Sequence, residues 1–325
     1  MNTNRTISGW LSLSLSFFLF IILFSLSAEA ANSRRTENFN KGWKFNLGEV
    51  AGGHEVQLDD SQWRTLTLPH DWSIEGSFNK DNPATPGGGA LPGGIGWYRK
   101  SFDLPMAEQG KLVFIDFDGI YRNSEVWING HYLGMRPYGY SSFRYELTPF
   151  LHYGKEKNVL AVKVDNSKQP NSRWYSGSGI YRNVWLVTTE KIFVDHWGTY
   201  VSTPEVSEQQ AHVVIKTKVR NTDTKDQAIV LKTSILNSDN KEVAAVETKQ
   251  VTPKASLCEI EQRLVVKDPI LWSIENPYVY HIHSKIISDG KEYDSYETTL
   301  GIRSFLFDTA KGFLLNGKQV KINGV

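Results

Sequence analysis

Paired carboxylates can act as general acid and nucleophile when they face one another across about 5 to 10 Å. The 35 Asp and Glu of this 325-residue chain lie mostly beside strand-like runs or in turns, and no pair stands out by spacing. His281-x-His283 puts two imidazoles on one strand face, the minimum of a metal site, but no third ligand follows at a suggestive spacing. We therefore expect neither a metal nor a cofactor. Gly87-Gly88-Gly89, Gly93-Gly94-Ile95-Gly96 and Gly177-Ser178-Gly179 lack the Gly-Lys-Ser/Thr of a phosphate loop and open no plausible helix. They read as loops packed close to other backbone or to a neighbouring domain. Gly-x-Ser-x-Gly is absent, so Ser176-Gly177-Ser178-Gly179 is not a nucleophile elbow. Cys258, the single cysteine, excludes an intramolecular disulfide and any multi-Cys metal site, and in the run Ala255–Ile260 it reads as a small buried residue.

The remaining chemical signal is aromatic. Tryptophan and tyrosine rings stack on the apolar faces of sugars and add a polar handle. A Trp-rich sandwich core accounts for most of the ten Trp, which leaves Trp72, Trp97, Trp174 and Tyr175 as loop residues expected to be exposed.

These side chains need a scaffold, and composition bounds it. The chain is 40% apolar and 22% charged, with 36 Lys and Arg against 35 Asp and Glu, which excludes bulk disorder. A net charge of +1 lacks the basic excess that nucleic-acid binding needs. The length suggests about two domains.

Residues 1–30 read as an address. Arg5 precedes an apolar stretch from Leu11 to Leu26, densest over Phe17–Phe24, and Ala28-Glu29-Ala30 offers the small-x-small pattern of a signal-peptidase site. The expectation is an exported protein, periplasmic or secreted, with no membrane attachment after cleavage.

From residue 31 the chain alternates as strands do. Val113, Ile115 and Phe117 share a face, as do Leu160, Val162 and Val164. Val213, Ile215, Thr217 and Val219 alternate with Lys216 and Lys218, and Tyr278, Tyr280 and Ile282 with His281 and His283. Asn129-Gly130, Asp289-Gly290 and Asn316-Gly317 sit between such runs and suit type I′ hairpin turns. No long segment has helical apolar spacing, so the fold class is all-β, built of antiparallel sandwiches. Seven of the ten Trp fall between Trp43 and Trp185, and beyond about Val194 the chain turns to Val, Ile, Thr and Lys. This shift divides it into 31–193 and 194–302, the second the size of an immunoglobulin-like sandwich. A tail, 303–325, carries a hairpin from Phe313 to Ile322 and reads as cut off, with Leu314, Val320 and Ile322 exposed.

The motifs then carry a resemblance. Leu68-Pro69-His70-Asp71-Trp72, Gly93 to Phe102, Val126-Trp127-Ile128-Asn129-Gly130 and Gly139-Tyr140-Ser141-Ser142-Phe143 resemble the N-terminal domain of glycoside hydrolase family 2. So does Arg173-Trp174-Tyr175-Ser176-Gly177-Ser178-Gly179-Ile180-Tyr181-Arg182. Leu271 to Tyr278, Gly301-Ile302-Arg303 and Gly312 to Lys318 extend the match over essentially the whole mature chain, most similar to bacterial β-galactosidases. The resemblance implies a jelly-roll, galactose-binding-like sandwich, an immunoglobulin-like sandwich, and then a (β/α)₈ barrel of which only the first hairpin is present. It implies a retaining mechanism by two Glu of the barrel, the acid/base one following an Asn. The chain contains no Asn-Glu dipeptide, so the expectation is that it holds no catalytic residue, is inactive alone, and braces the barrel and pocket rim. The rim candidates are His70, Asp71, Arg173, Trp174 and Tyr175. Arg173 stands where several relatives have an Asp that reaches the substrate. A guanidinium accepts no hydrogen bond, and it suits an acidic substrate or a barrel carboxylate, or pairs with a carboxylate at the domain interface. His70 and Asp71 read either as rim residues or as turn-stabilising ones. The implied partner is a carbohydrate, a β-galactoside or related glycan, with a homo-oligomer of the full-length enzyme as a further expectation. The rival readings are a stand-alone carbohydrate-binding module of two sandwiches and a structural or adhesive exported protein.

Overall fold

The computed structural model describes residues 34–324, and the leader expected over 1–30 lies outside them. The first sandwich contains β1 (Arg35–Asn38), β2 (Trp43–Leu47), β3 (Arg64–Leu66), β4 (Gly94–Phe102) and β5 (Leu112–Phe117). It continues with β6 (Ser124–Ile128), β7 (His131–Arg136), β8 (Phe143–Glu146), β9 (Asn158–Asn166) and β10 (Val184–Thr189). A six-stranded sheet, β3-β2-β4-β9-β6-β7, packs on a four-stranded sheet, β1-β10-β5-β8, and their pairings are antiparallel. Trp43, Phe45, Tyr98, Val126, Leu160, Val162 and Val164 of one sheet meet Val113, Ile115, Phe117, Phe143, Val184 and Leu186 of the other. Strand β5 carries apolar side chains on both faces because both are covered, with Asp116 on the outer one paired to Arg144. Its outward Phe114 joins Val187 and Phe193, the last from the next sandwich.

The second sandwich contains β11 (Ile192–Val206), β12 (Gln210–Asn221), β13 (Gln227–Leu236), β14 (Glu242–Thr252), β15 (Ser256–Lys267), β16 (Tyr280–Ser288) and β17 (Lys291–Leu300). Its sheets are β11-β12-β15 and β14-β13-β16-β17. Val213, Ile215, Thr217 and Val219 are all buried, and the intervening Lys218 is exposed, as the period of two requires. Tyr278 falls just before β16 instead of in it; its hydroxyl accepts the Ser238 N–H at 3.1 Å. Cys258 departs from the buried reading. It has the inward parity of Ile260, but lies near the start of β15 and is only partly buried. The three Asn-Gly and Asp-Gly turns each carry two positive φ angles, such as +50° at Asn129 and +79° at Gly130, which only the I′ geometry demands. Among the described residues the only helical elements are three short 3₁₀ turns, and no helix is long and apolar enough to cross a membrane.

The two sandwiches are pinned through one buried charge. Asp294 of β17 accepts Arg34 Nε and Nη2, both at 2.9 Å, and the Val194 N–H at 2.7 Å. Arg34 also donates to the Val194 carbonyl at 2.6 Å and lies over the Tyr296 ring.

The tail is a three-stranded sheet, β18 (Phe305–Asp308), β19 (Gly312–Leu315) and β20 (Lys318–Gln319), so the expected hairpin gains a preceding strand. Asn316 ties it down. Its side chain accepts the Ser304 N–H at 2.9 Å and donates to the Trp272 carbonyl at 3.0 Å. Leu314 and Val320 are half-buried, contrary to expectation: Leu314 is flanked by β18, and Val320 lines a cleft with Val206, Leu271 and Ile274 of the second sandwich. The exposed apolar side chains are Phe305, Leu306, Phe307 and Ile322.

Candidate functional site

Residues 70–72 pair with 178–180 at one end of the first sandwich: the His70 N–H donates to the Ile180 carbonyl at 2.9 Å, and the Trp72 N–H to Ser178 at 3.0 Å. Asp71 sits at the centre of this ladder. Its Oδ1 accepts the Ser73 N–H at 2.9 Å and the Ser178 N–H at 2.8 Å, and its Oδ2 accepts the Tyr175 hydroxyl. Burial and then the Asp71 carboxylate push the Tyr175 pKa up, so the phenol keeps the proton it donates. Gly177 and Gly179 permit the approach. The backbone of Gly179 has φ +129° and lies against the His70 carbonyl and the Tyr98 hydroxyl, leaving no room for a side chain.

His70 lies beneath this ladder, 8% exposed. Its Nδ1 is 2.7 Å from Tyr98 Oη, and its Nε2 is 2.7 Å from Arg64 Nη2 and 3.3 Å from Glu75. Burial lowers the His70 pKa despite the Glu75 charge. The imidazole is therefore neutral, with Nε2 accepting from Arg64 and the Nδ1–H donating to Tyr98. The geometry is that of a turn-stabilising residue that supports the ladder from inside.

This predicts a pH effect. Because burial holds the native His70 pKa below its ordinary 6.5, the unfolded chain takes up a proton that the native chain does not as pH falls through that value. Unfolding free energy should fall as pH drops from 6.5, with no contribution from His70 above it. His196, half-buried and lowered by burial and by Arg144, acts in the same sense. Urea unfolding between about pH 7 and 5.5 should show the slope, His70→Gln should shallow it, and an unchanged slope would refute the assignment.

Two of the expected exposed rings are core. Trp72 is 2% exposed, stacked on Phe45 at 5.8 Å, with its Nε1–H on the Gly93 carbonyl at 3.1 Å. Trp97 is 3% exposed within β4 and stacked on Trp127 at 5.5 Å. Gly53, from the loop after β2, lies directly against its ring. That loop is held by Arg99, which donates to the Gly53 and Glu55 carbonyls and pairs with Asp60. Trp174, 61% exposed, and Tyr175 do face solvent as expected.

Across the 171–177 loop from Asp71 lies an open groove of about 540 Å³, whose lining includes Tyr121, Arg122, Tyr138, Tyr140, Arg173 and Trp174. The Trp174 Nε1–H donates to Tyr140 Oη at 3.3 Å, and Tyr140 packs on Tyr121 at 5.2 Å and on Tyr138 at 5.6 Å. Asn171 locks the loop by accepting from Tyr121 Oη at 3.0 Å and from Ser176 Oγ at 3.1 Å. A backbone bridge between Tyr121 and Gly179 joins the groove to the ladder of residues 70–72 and 178–180. The expected carboxylate partner of Arg173 does not exist among the described residues: its guanidinium lies exposed in the groove, out of reach of any domain-interface carboxylate. The sequence reading missed Arg122, Tyr138 and Tyr140, although the aromatic run Pro137-Tyr138-Gly139-Tyr140 was a usable signal.

Elsewhere, His281 Nδ1 is 2.6 Å from Glu297 and His283 Nε2 is 3.8 Å from the same carboxylate. Among the described residues no group of three or more His, Cys, Asp or Glu side chains is arranged to hold a metal ion.

Comparison with known proteins places this geometry. Residues 38–190 match the sugar binding domain of glycosyl hydrolases family 2, and residues 194–303 match a second model of that family. A β-galactosidase of Bacteroides ovatus is 47% identical over 299 residues, covering 92% of this chain and 35% of that protein. A β-glucuronidase of Bacteroides fragilis is 32% identical, covering 96% of this chain and 44% of that protein. The crystal structure of a family 2 member from Bacteroides cellulosilyticus superposes with a TM-score of 0.86 at 38% identity, covering 88% of this chain and 38% of that one. The chain thus spans between about a third and less than half of the length of these relatives. Two consecutive models of one family, a matching all-β architecture and an aromatic-rimmed first sandwich agree: the chain belongs to glycosyl hydrolase family 2.

Proposed function

We propose that the chain is the front portion of an exported retaining β-glycosidase that hydrolyses O-glycosidic bonds, with β-galactosides as the first candidate substrate. The observation that carries this reading is the 171–177 loop. Trp174 and Tyr175 stand exposed on backbone fixed by Asp71 and Asn171, within a family whose similar members are named β-galactosidase and β-glucuronidase. In this reading His70 and Asp71 hold the rim, and Arg173, Trp174 and Tyr175 present it to a carbohydrate at one wall of the pocket. The leader over 1–30 directs export, and the full-length enzyme assembles as a homo-oligomer. With no Asn-Glu dipeptide in the chain, the acid/base Glu and its partner belong to a barrel encoded further on, and this chain alone is inactive. Hydrolysis of nitrophenyl β-galactoside and β-glucuronide should appear only when the reading frame beyond codon 325 is expressed with it. Turnover by the chain alone would overturn the assignment.

The tail supports the same division of labour. Phe305, Leu306 and Phe307 are exposed on β18, an edge strand of a short three-stranded sheet, the kind of edge that pairs with other chains when uncovered, and Ile322 is exposed just beyond the sheet. A version ending at Arg303 should stay monodisperse at concentrations where the 325-residue chain aggregates. Light scattering decides it, and equal solubility of the two would count against a covering barrel.

A further inference from the structure

We propose that the groove between Tyr121 and Trp174 binds a sugar unit bearing an anionic substituent, a carboxylate or an O-sulfate, within a longer glycan. The inference rests on the reading of this sandwich as a glycan-contacting one and adds the charge class of the ligand. Three observations carry it. First, Tyr138, Tyr140 and Trp174 are exposed and mutually supported by ring contacts and the Trp174–Tyr140 hydrogen bond, which makes a fixed platform for a sugar face. Second, Arg122 and Arg173 line the same groove, and neither guanidinium has a carboxylate partner among the described residues. Arg34, Arg35, Arg64, Arg99, Arg144, Arg220 and Arg263 each hold one, whereas Arg122 and Arg173 are, among the described residues, two free guanidinium groups in one groove. Third, the loop that offers Arg173 is held by Asn171 and Asp71 on both sides, so the site is fixed before a ligand arrives.

The chemistry follows. A guanidinium presents several N–H donors in a planar fork and accepts nothing, so two of them beside a ring platform leave acceptor-only groups as the matching ligand. Carboxylate and sulfate oxygens are such acceptors, and their charge-assisted bonds are about twice as strong as those of a neutral hydroxyl. Neutral galactoside hydroxyls would use the rings but gain little from the arginines.

The test is direct binding to the 325-residue chain, read by tryptophan fluorescence and calorimetry. The probes are a neutral β-linked galacto-oligosaccharide, the same backbone carrying a glucuronate unit, and the same backbone O-sulfated. The anionic forms should bind about tenfold tighter than the neutral one, and the margin should shrink as salt rises from about 0.05 to about 0.5 M. The tighter of the two anionic probes names the substituent. Arg122→Gln with Arg173→Gln should erase the margin between anionic and neutral forms, while Trp174→Ala should weaken all three. Circular dichroism checks that these surface variants fold. Equal affinity for all three probes, binding of none, or a margin that survives loss of both arginines would overturn the proposal. The glycosidase reading stands or falls separately. A longer protein that cleaves β-glycosides without an anionic preference defeats only this inference, and anion-selective binding in a protein that cleaves nothing defeats only that one.

Discussion

Asp294→Ala should lower the unfolding free energy by about 3–5 kcal/mol, the cost of stripping a buried ion pair of one partner. Asp294 is fully buried and satisfies three donors at once, two from Arg34 and one from the Val194 backbone. Removing it leaves the Arg34 guanidinium nearly buried without an opposing charge and the Val194 N–H without an acceptor. The damage has a location as well as a size. Arg34 precedes β1 and Asp294 lies in β17, so the pair ties the start of the first sandwich to the second. Urea unfolding followed by tryptophan fluorescence, dominated by the Trp-rich first sandwich, and by far-ultraviolet dichroism should give coincident transitions in the parent chain and separated ones in the variant. Arg34→Met combined with Asp294→Leu should recover most of the loss, because two apolar side chains need no charge compensation. A loss below about 1 kcal/mol for Asp294→Ala would show that the junction does not depend on this pair.

Trp43→Ala should cost a similar ~3–5 kcal/mol by a different route, the cavity left by a large core ring. Trp43 is wholly buried in β2, packed edge-on against Phe39 and Tyr98, with its Nε1–H on the Phe39 carbonyl at 2.8 Å. Trp43→Phe keeps most of the volume and should recover more than half. The Phe39 carbonyl is not orphaned in either variant, since Lys100 Nζ reaches it at 3.1 Å. Because β2 pairs with β4, which carries Tyr98 under His70, the alanine variant should also lower the midpoint at which the rim loosens. Equal midpoints for Trp43→Ala and the parent would contradict the packing described.

The architecture was legible where it is written locally. Period-two alternation over 213–219 and the Asn-Gly and Asp-Gly turns specify strands and hairpins through backbone sterics alone, and the structure follows them. Trp97 shows where local reading ends. In β4 Trp97, Tyr98 and Arg99 are consecutive and all buried, because the outer face of the strand is roofed by the loop after β2. Nothing in the alternation announces a roof contributed some forty residues earlier. The same holds for Trp72, which reads as a loop residue but is drawn inward by Phe45. At the site, Asp71 and Tyr175 were findable as motif residues, but the hydrogen bond that joins them spans 104 positions and exists only in the folded sandwich. Arg122 and the tyrosines of 138–140 come together with Trp174 in the same non-local way, which is why the family resemblance named Arg173 and the aromatic pattern Trp174, and both passed over the others.

We propose that this chain serves a retaining glycosidase whose reacting carboxylates lie outside residues 1–325. The most direct test is covalent trapping: the protein encoded by the continuing reading frame is treated with a 2-deoxy-2-fluoro β-galactoside and digested for peptide mass spectrometry. A fluoroglycosyl label on a Glu beyond position 325, with none on the peptides of this chain, is the predicted result. A label on any Asp or Glu within residues 34–324 would contradict the account.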